Sequence, residues 1–191
     1  MQIKIGYQGM RGSNALAAAK QMCEALGINS VSYIPLVTSA GVTEALLKGK
    51  VQYGVMATRN VIAGEVEETK VALQDLKYEC MATCGLPIHH CLFIKSDKLV
   101  KQDIRQVASH IQALKQCENY LTQHFGKIDL LPIEDTAIGA KYLAEGRLDE
   151  KTAILCRKEA GLQYKLLLLA ENIEDFKENY TEFMMIRHLR H

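Results

Sequence analysis

The segment from residue 80 to 91 gathers side chains that bind metals, Cys80, Cys84, His89, His90 and Cys91. Thiolates and imidazoles are what zinc takes, but structural zinc uses a tight cysteine knuckle with a second ligand pair at some distance. Here the segment reads as two adjacent strands, whose side chains alternate between faces, so no metal and no cofactor are expected. His110 joins the His89–His90 pair, and histidine as a residue type suits acid–base work. Ser13 follows Gly12 where a helix begins, so its hydroxyl can cap the helix or help a carboxylate dock on the exposed N–H groups. Asn60 carries an amide able to donate to a carboxylate and accept from a hydroxyl; a turn residue satisfying its own backbone is the plainer reading. Asp135 has the look of an N-cap, followed by Thr136.

These residues need elements to hold them. Residues 2–7 alternate like a strand, and a helix follows from Ser13 with Leu16, Ala19, Cys23 and Leu26 on one face. Gly27 supplies its left-handed stop. Residues 30–36 form a second strand, Val42, Ala45 and Leu46 a short helical stripe ended by Gly49, and residues 51–57 a third strand. After Gly64 comes a helix with Val66, Thr69, Leu73 and Leu76 on one face. Residues 78–83 and 88–94 read as strands about a turn at Gly85-Leu86-Pro87. Further strands are expected at 107–109, 128–131, 152–156, 166–169 and 181–186, and helices at 111–121 and from Asp135 to Glu145, where Gly146 stops the second. Strand, turn, helix and glycine stop in repetition predict an α/β protein with largely parallel strands. Such sheets bind ligands beyond the C-terminal ends of their strands. That favours the turns at 8–14, 37–41, 58–64, 109–112 and 132–136, although periodicity leaves one sheet or two open.

The bulk properties exclude other classes. With 191 residues, 48% hydrophobic and 24% charged, the chain can bury a sizeable core. Its formal net charge of +1 and lack of a basic run point away from nucleic acid. The start, MQIKIGYQG, has no signal-peptide pattern, and the run from Leu166 to Ala170 is too short to span a bilayer. A cytoplasmic protein without membrane contact is expected, and its six scattered cysteines are expected to be reduced core thiols.

The turns also carry a resemblance. GVTEALLKGKVQYGVMATRNVIAGEVEET, residues 41–69, resembles the prephenate dehydratase stretch G-x-x-D-Y-G-V, P-I-E-N-S and G-x-V-x-x-T. GYQGMRGSNALAA resembles the family's first G-P-x-G-T/S turn, LPIHHCL its L-P-I-x-H-x-L and SHIQALKQCENYL its S-H-P-Q-A-L-x-Q-C. TAIGAKYL followed by NIEDFKENYTEF resembles its T-A turn and closing N-I-x-D…N-x-T-R-F. The match runs along essentially the whole chain, in the family order.

The resemblance implies a fold like that of type II periplasmic binding proteins, with two α/β subdomains facing each other across a cleft. Crossovers near residues 77 and 168 would give subdomain 1 about 1–77 plus 168–191, and subdomain 2 about 78–167. It also implies a homodimer. The family's usual C-terminal ACT domain, which senses phenylalanine, is expected to be missing, since the chain stops after the closing motif. The implied activity is conversion of prephenate to phenylpyruvate with loss of carbon dioxide and water. In the family the departure of the ring hydroxyl is assisted by the Thr of T-R-F, which corresponds to Thr181. Asn60 corresponds to the Asn of P-I-E-N, and Ser109 and Gln112 to the Ser and Gln of S-H-P-Q. With Ser13, Thr136 and Phe183, these make up the implied substrate contacts. The histidines are then read as structural or orienting groups, because the reaction requires no histidine base.

Departures from the pattern accompany the match. P-I-E-N-S is Ala57-Thr58-Arg59-Asn60-Val61, T-R-F is Thr181-Glu182-Phe183, the first turn lacks its proline, and Ile111 replaces the proline of S-H-P-Q. The exchange of Glu and Arg between two motifs predicts that Arg59 and Glu182 face each other as a reversed ion pair. Otherwise Arg59 or Arg11 takes over a substrate anion. The alternatives to a dehydratase are a carboxylate-binding protein that has lost the chemistry, or a decarboxylase that leaves prephenate non-aromatic.

Overall fold

The computed structural model describes residues 2–189. The chain divides into two compact units: one takes it up to Ile88 and again from Asn179, the other runs from His89 to Glu178. In the first unit β1 (Ile3–Tyr7), α1 (Asn14–Ala25), β2 (Val31–Pro35), α2 (Ser39–Leu47) and β3 (Tyr53–Asn60) follow the βαβ grammar. The short β4 (Gly64–Glu65), α3 (Glu67–Leu73) and the long β5 (Tyr78–Pro87) come next. In the second unit the order is β6 (Cys91–Ile94), a 3-10 turn at 101–103, β7 (Gln106–Ser109), α4 (Ile111–Gln116), α5 (Glu118–Phe125) and β8 (Asp129–Pro132). Then come α6 (Thr136–Ala144), β9 (Thr152–Cys156), α7 (Lys158–Gln163) and β10 (Leu167–Ala170); β11 (Tyr180–His188) returns to the first unit.

Each unit has its own sheet. The first is ordered β2-β1-β3-β11-β5, with β4 added beside β3; the second is ordered β10-β6-β9-β7-β8. In the first, β1 runs parallel to β2 and β3, while β11 is antiparallel to β3 and β5. In the second, β7 runs parallel to β8 and β9, while β6 is antiparallel to β9 and β10. Parallel pairing therefore joins β2, β1 and β3 in the first sheet and β8, β7 and β9 in the second, while β11 in the first and β6 in the second run against both of their neighbours.

The long-range pairing also corrects the boundaries. Gly85-Leu86-Pro87 is not a turn, because β11 pairs with β5 over its whole length, from Tyr180 opposite Pro87 to His188 opposite Tyr78. The units part at 88/89 and 178/179, past the crossovers expected near 77 and 168, since β5 belongs to the first sheet and β10 to the second. The helix expected over 111–121 is broken at Cys117, whose φ −120°, ψ 14° lies outside helical values.

The cores follow the expected stripes in part: Ala19 and Cys23 are buried, but Leu26 and Ile111 are exposed. Ala15, Ala18, Ala19, Met22 and Cys23 of α1 pack on Ile5, Tyr7, Val55 and Met185 of one sheet face. On the other face, Val42, Ala45 and Leu46 of α2 pack with Val51, Met56 and Ile186. That helix lies so close that a Cβ on Gly54 would come within 2.5 Å of Val42. The second unit buries Leu92, Val107, Leu114, Leu121, Ala153 and Leu155.

Candidate functional site

The register of β3 and β11 sets Asn60 opposite Thr181. Asn60 is buried, and its side-chain oxygen accepts the backbone N–H groups of Ile62 at 3.0 Å and Ala63 at 2.9 Å. Only the oxygen can accept, so these two bonds fix which way the amide points. Its nitrogen then donates among three acceptors: Asn179 Oδ1 at 2.8 Å, Tyr180 O at 3.0 Å and Thr181 Oγ1 at 2.9 Å. Asn179 is 1% exposed. The Thr181 oxygen thus receives a hydrogen bond, and its own proton meets no acceptor among the described residues. A hydroxyl polarised in this way is a better donor than one in isolation. All of Asn60's polar atoms are committed within the protein, so it positions a hydroxyl and is not itself an open contact.

Other polar groups cluster at the same ends of the parallel strands. Ser13 caps α1, accepting from Leu16 N and donating to Gln8 O, both at 3.4 Å. Gln8, which no motif singled out, accepts from Ala57 N at 3.1 Å and donates to Glu68 at 2.9 Å. The other Glu68 oxygen takes Ser39 N at 2.7 Å, tying α2 and α3 to β1 and β3. Gly9 and Gly12 hold the first turn with φ of 82° and 87°, which leaves Arg11 exposed. Nearby, Val37 is a β-branched residue at φ 59°, its carbonyl accepting from Gly9 N at 2.8 Å. That is a strained conformation at the C-terminal end of the parallel strands.

Arg59 and Glu182 are direct cross-strand partners, as the exchange of motifs predicted. Glu65 flanks Arg59 from β4. The expected ion pair is not formed among the described residues; both side chains are exposed, where water competes for each charge. They lie one residue from Asn60 and Thr181, so strand alternation turns them to the opposite face of the sheet. Phe183, expected as a wall of the site, is buried against Ile5, Tyr7 and α1 and serves the core.

In the second unit Ser109 ends β7 with no exposed surface, its hydroxyl donating to Leu155 O at 2.7 Å. It pins β7 to β9 and does not stand open to a ligand. His110 caps α4, accepting from the backbone N–H of the exposed Gln112 at 3.3 Å. Asp135 caps α6 through Ala137 N and Ile138 N, both at 2.9 Å, with Thr136 half-buried beside it. Burial pushes the Asp135 carboxyl up, against the pull of those N–H groups and the His110 charge. Asp135 thus titrates above its ordinary value, a property that an N-cap pattern does not reveal.

His89 and His90 join a buried network. Glu174 takes His89 Nδ1 at 2.9 Å and His90 N at 3.0 Å, while His90 Nε2 meets Gln116 Oε1 at 2.8 Å. Burial pushes the Glu174 carboxyl up, but the His90 N–H and the His89 ring outweigh it and hold the group below its ordinary range. Burial pushes His90 down. Among the described residues, no three side chains able to bind a metal come together, and no helix is long and apolar enough to cross a membrane.

Comparison with known proteins gives this geometry a context. The prephenate dehydratase family model matches residues 5–190. Arogenate dehydratase 2 of Petunia hybrida is 30% identical over 190 residues, covering 97% of this chain and 45% of the relative. Prephenate dehydratase of Methanocaldococcus jannaschii is 40% identical over 134 residues, 70% of this chain and 47% of the relative. The chain spans about half the length of these relatives. Among solved structures, prephenate dehydratase from Arthrobacter aurescens in complex with L-Phe superposes with a TM-score of 0.85 at 22% identity, covering 99% of this chain and 61% of that one. A nutrient binding protein from Burkholderia cenocepacia bound to methionine superposes with 0.53 at 15% identity, covering 97% and 84%. The fold is thus of the periplasmic-binding-protein kind.

Proposed function

We propose that this chain, which belongs to the prephenate dehydratase family, converts prephenate to phenylpyruvate with Thr181 as the proton donor. The observation that carries the reading is the 2.9 Å bond from Asn60 to Thr181 Oγ1, made by an amide whose orientation two backbone N–H groups fix. The ring carboxylate leaves as carbon dioxide. Its bonding pair enters the ring, and the ring C–O bond breaks as the hydroxyl receives the Thr181 proton and departs as water. Threonine regains its proton from solvent, so one proton is consumed per turnover and aromatisation drives the step. Asn60 stabilises the charge that develops on Oγ1, where a fixed donor counts most. Within the first unit, Arg11, exposed in the first turn, supplies charge for a carboxylate. Asn60, Ser13 and Asn179 position; Ser109 and Phe183 support packing.

The altered residues Arg59 and Glu182 lie on the face away from Asn60 and Thr181, so they do not weigh against turnover. In this reading the protein is a cytoplasmic homodimer, which light scattering on the purified chain tests. The decisive experiment is phenylpyruvate formation from prephenate. Thr181→Ala should lower kcat by about 10²-fold or more and Thr181→Ser should retain most of it. An unchanged rate in Thr181→Ala sinks the assignment. No product from the parent, with prephenate still raising its melting temperature, would favour the carboxylate-binding alternative.

A further inference from the structure

Past Tyr7 the first strand leaves the sheet through a side chain. The parallel ladder of β1 and β3 pairs Ile5 with Tyr53, Gly6 with Gly54 and Tyr7 with Val55, and Gln8 N donates to Val55 O at 3.0 Å. Rungs of a parallel ladder are evenly spaced, so the next one would join Ala57 N to the Gln8 carbonyl. Instead Ala57 N donates to Gln8 Oε1 at 3.1 Å, and the Gln8 carbonyl accepts the Ser13 hydroxyl at 3.4 Å. The side-chain amide thus stands in for one peptide unit. The main chain turns away at Gly9, whose φ of 82° suits glycine, and Gly9 N meets Val37 O at 2.8 Å, beyond the end of β2.

Glu68 fixes which way that amide points. Gln8 Nε2 donates to Glu68 Oε2 at 2.9 Å, so Oε1 is the atom that faces Ala57. Glu68 Oε1 accepts Ser39 N at 2.7 Å where α2 begins, and the neighbouring Thr69 shares a buried 2.8 Å hydrogen bond with the Ser39 hydroxyl. Both carboxylate oxygens are therefore in use, and both can only accept. Through this link Gln8 joins two parts of the candidate site. One is the first turn, which carries Arg11 and is closed by Ser13 N donating to Met10 O at 3.1 Å. The other is β3, on which Asn60 lies three residues past Ala57, roughly 10 Å along the strand. At that distance Gln8 touches none of the reacting groups. Its net contribution to folding is modest, as for any such hydrogen bond. Its weight is geometric, because a misplacement of about 1 Å can cost ~10²-fold in rate.

Resting on the dehydratase reading, we propose that Gln8, oriented by Glu68, is a positioning residue that sets where a carboxylate held by Arg11 lies relative to the Thr181 hydroxyl. The test is kinetics of the full chain with prephenate at about pH 8, well above ordinary carboxyl values. Gln8→Glu turns two carboxylates on each other, and Glu68→Gln turns two amide N–H groups on each other. Each should lower kcat/KM by about tenfold or more. The combined variant exchanges amide and carboxylate. Position 8 still accepts from Ala57 N, position 68 still accepts from Ser39 N, and the hydrogen bond between them runs the other way. It should return to within about threefold of the parent. Arg11→Ala gives the second readout. With it in place, Gln8→Glu should lower kcat/KM by no more than about twofold further, because the turn no longer carries the charge to be placed. A role confined to holding the sheet would instead multiply the two losses. The proposal is overturned if the exchange does not rescue, if the losses multiply, or if Gln8→Glu behaves like the parent. Glu68→Gln with Arg11→Ala completes the cycle where Gln8→Glu does not fold. A parent that binds prephenate without forming product sinks the dehydratase reading alone, and the same cycle on the prephenate Kd then decides this proposal. A parent that neither converts nor binds prephenate overturns both.

Discussion

The side chain that matters most at the residue scale is one that touches no ligand in the proposed mechanism. Asn179 accepts one Asn60 proton at 2.8 Å while 1% exposed, so its oxygen helps divide the amide's two protons among three acceptors. Asn179→Leu should lower kcat by about tenfold or more while leaving KM within a few-fold, because the interaction acts on the hydroxyl that donates in the transition state. Asn179→Asp, which keeps an acceptor, should recover much of the loss, and equal damage in both variants would mean a purely structural role. The buried network of the second unit gives a pH dependence with a definite sign. His90 has its folded value lowered, so it contributes stability that is present above its unfolded value near 6.5 and fades as pH falls. Glu174, also lowered, adds a second loss that begins around its unfolded value near 4.3 and continues below it. Melting temperature should therefore drop between about pH 7 and 5 and again in the acid range. His90→Leu should flatten the first drop and Glu174→Gln the second; slopes unaltered in both variants would overturn the assignment.

At the scale of elements, the packing of α2 on β3 sets a narrow tolerance. A Cβ at Gly54 would lie 2.5 Å from Val42 and 2.8 Å from Leu46, both buried. Gly54→Ala should cost roughly 1–3 kcal/mol by overpacking, as read from urea unfolding, and a neutral result would mean that the helix can shift outward. The β3–β11 register gives a complementary case. Arg59 and Glu182 are opposed across the strands but exposed and not ion-paired, so a double-mutant cycle should give a coupling of about 0.2–1 kcal/mol. A value well above that range would show a pair formed in solution, and zero would remove any residue of the exchanged pair.

For the whole molecule, the cysteines report how each part of the chain is buried. Cys23, Cys91, Cys117 and Cys156 are buried, Cys84 is half-buried and Cys80 is exposed, all as free thiols. Native protein should give one fast-reacting thiol with Ellman's reagent, a slower one, and four that appear only on unfolding, because an exposed thiolate is the reactive form. Helix stripes, glycine stops and the caps at Ser13 and Asp135 were legible in the sequence, since each depends on residues within a turn or two of one another. The motif order likewise singled out Thr181 and Asn60, which the register sets opposite each other, and paired Arg59 with Glu182. Partnership between strands was not legible in this way. The antiparallel run of β11 between β3 and β5, which moved both unit boundaries and absorbed the supposed turn at Gly85, depends on residues far apart in the chain, such as Glu182 and Gly85. Tertiary structure alone committed the Ser109 hydroxyl to Leu155 and buried Phe183, and it recruited Gln8, Glu68 and Asn179. Sequence thus determined which groups were on hand and which local elements carried them. The fold decided which groups spent their hydrogen bonds inside the protein and which did not, because that depends on partners brought together only when the sheet closes.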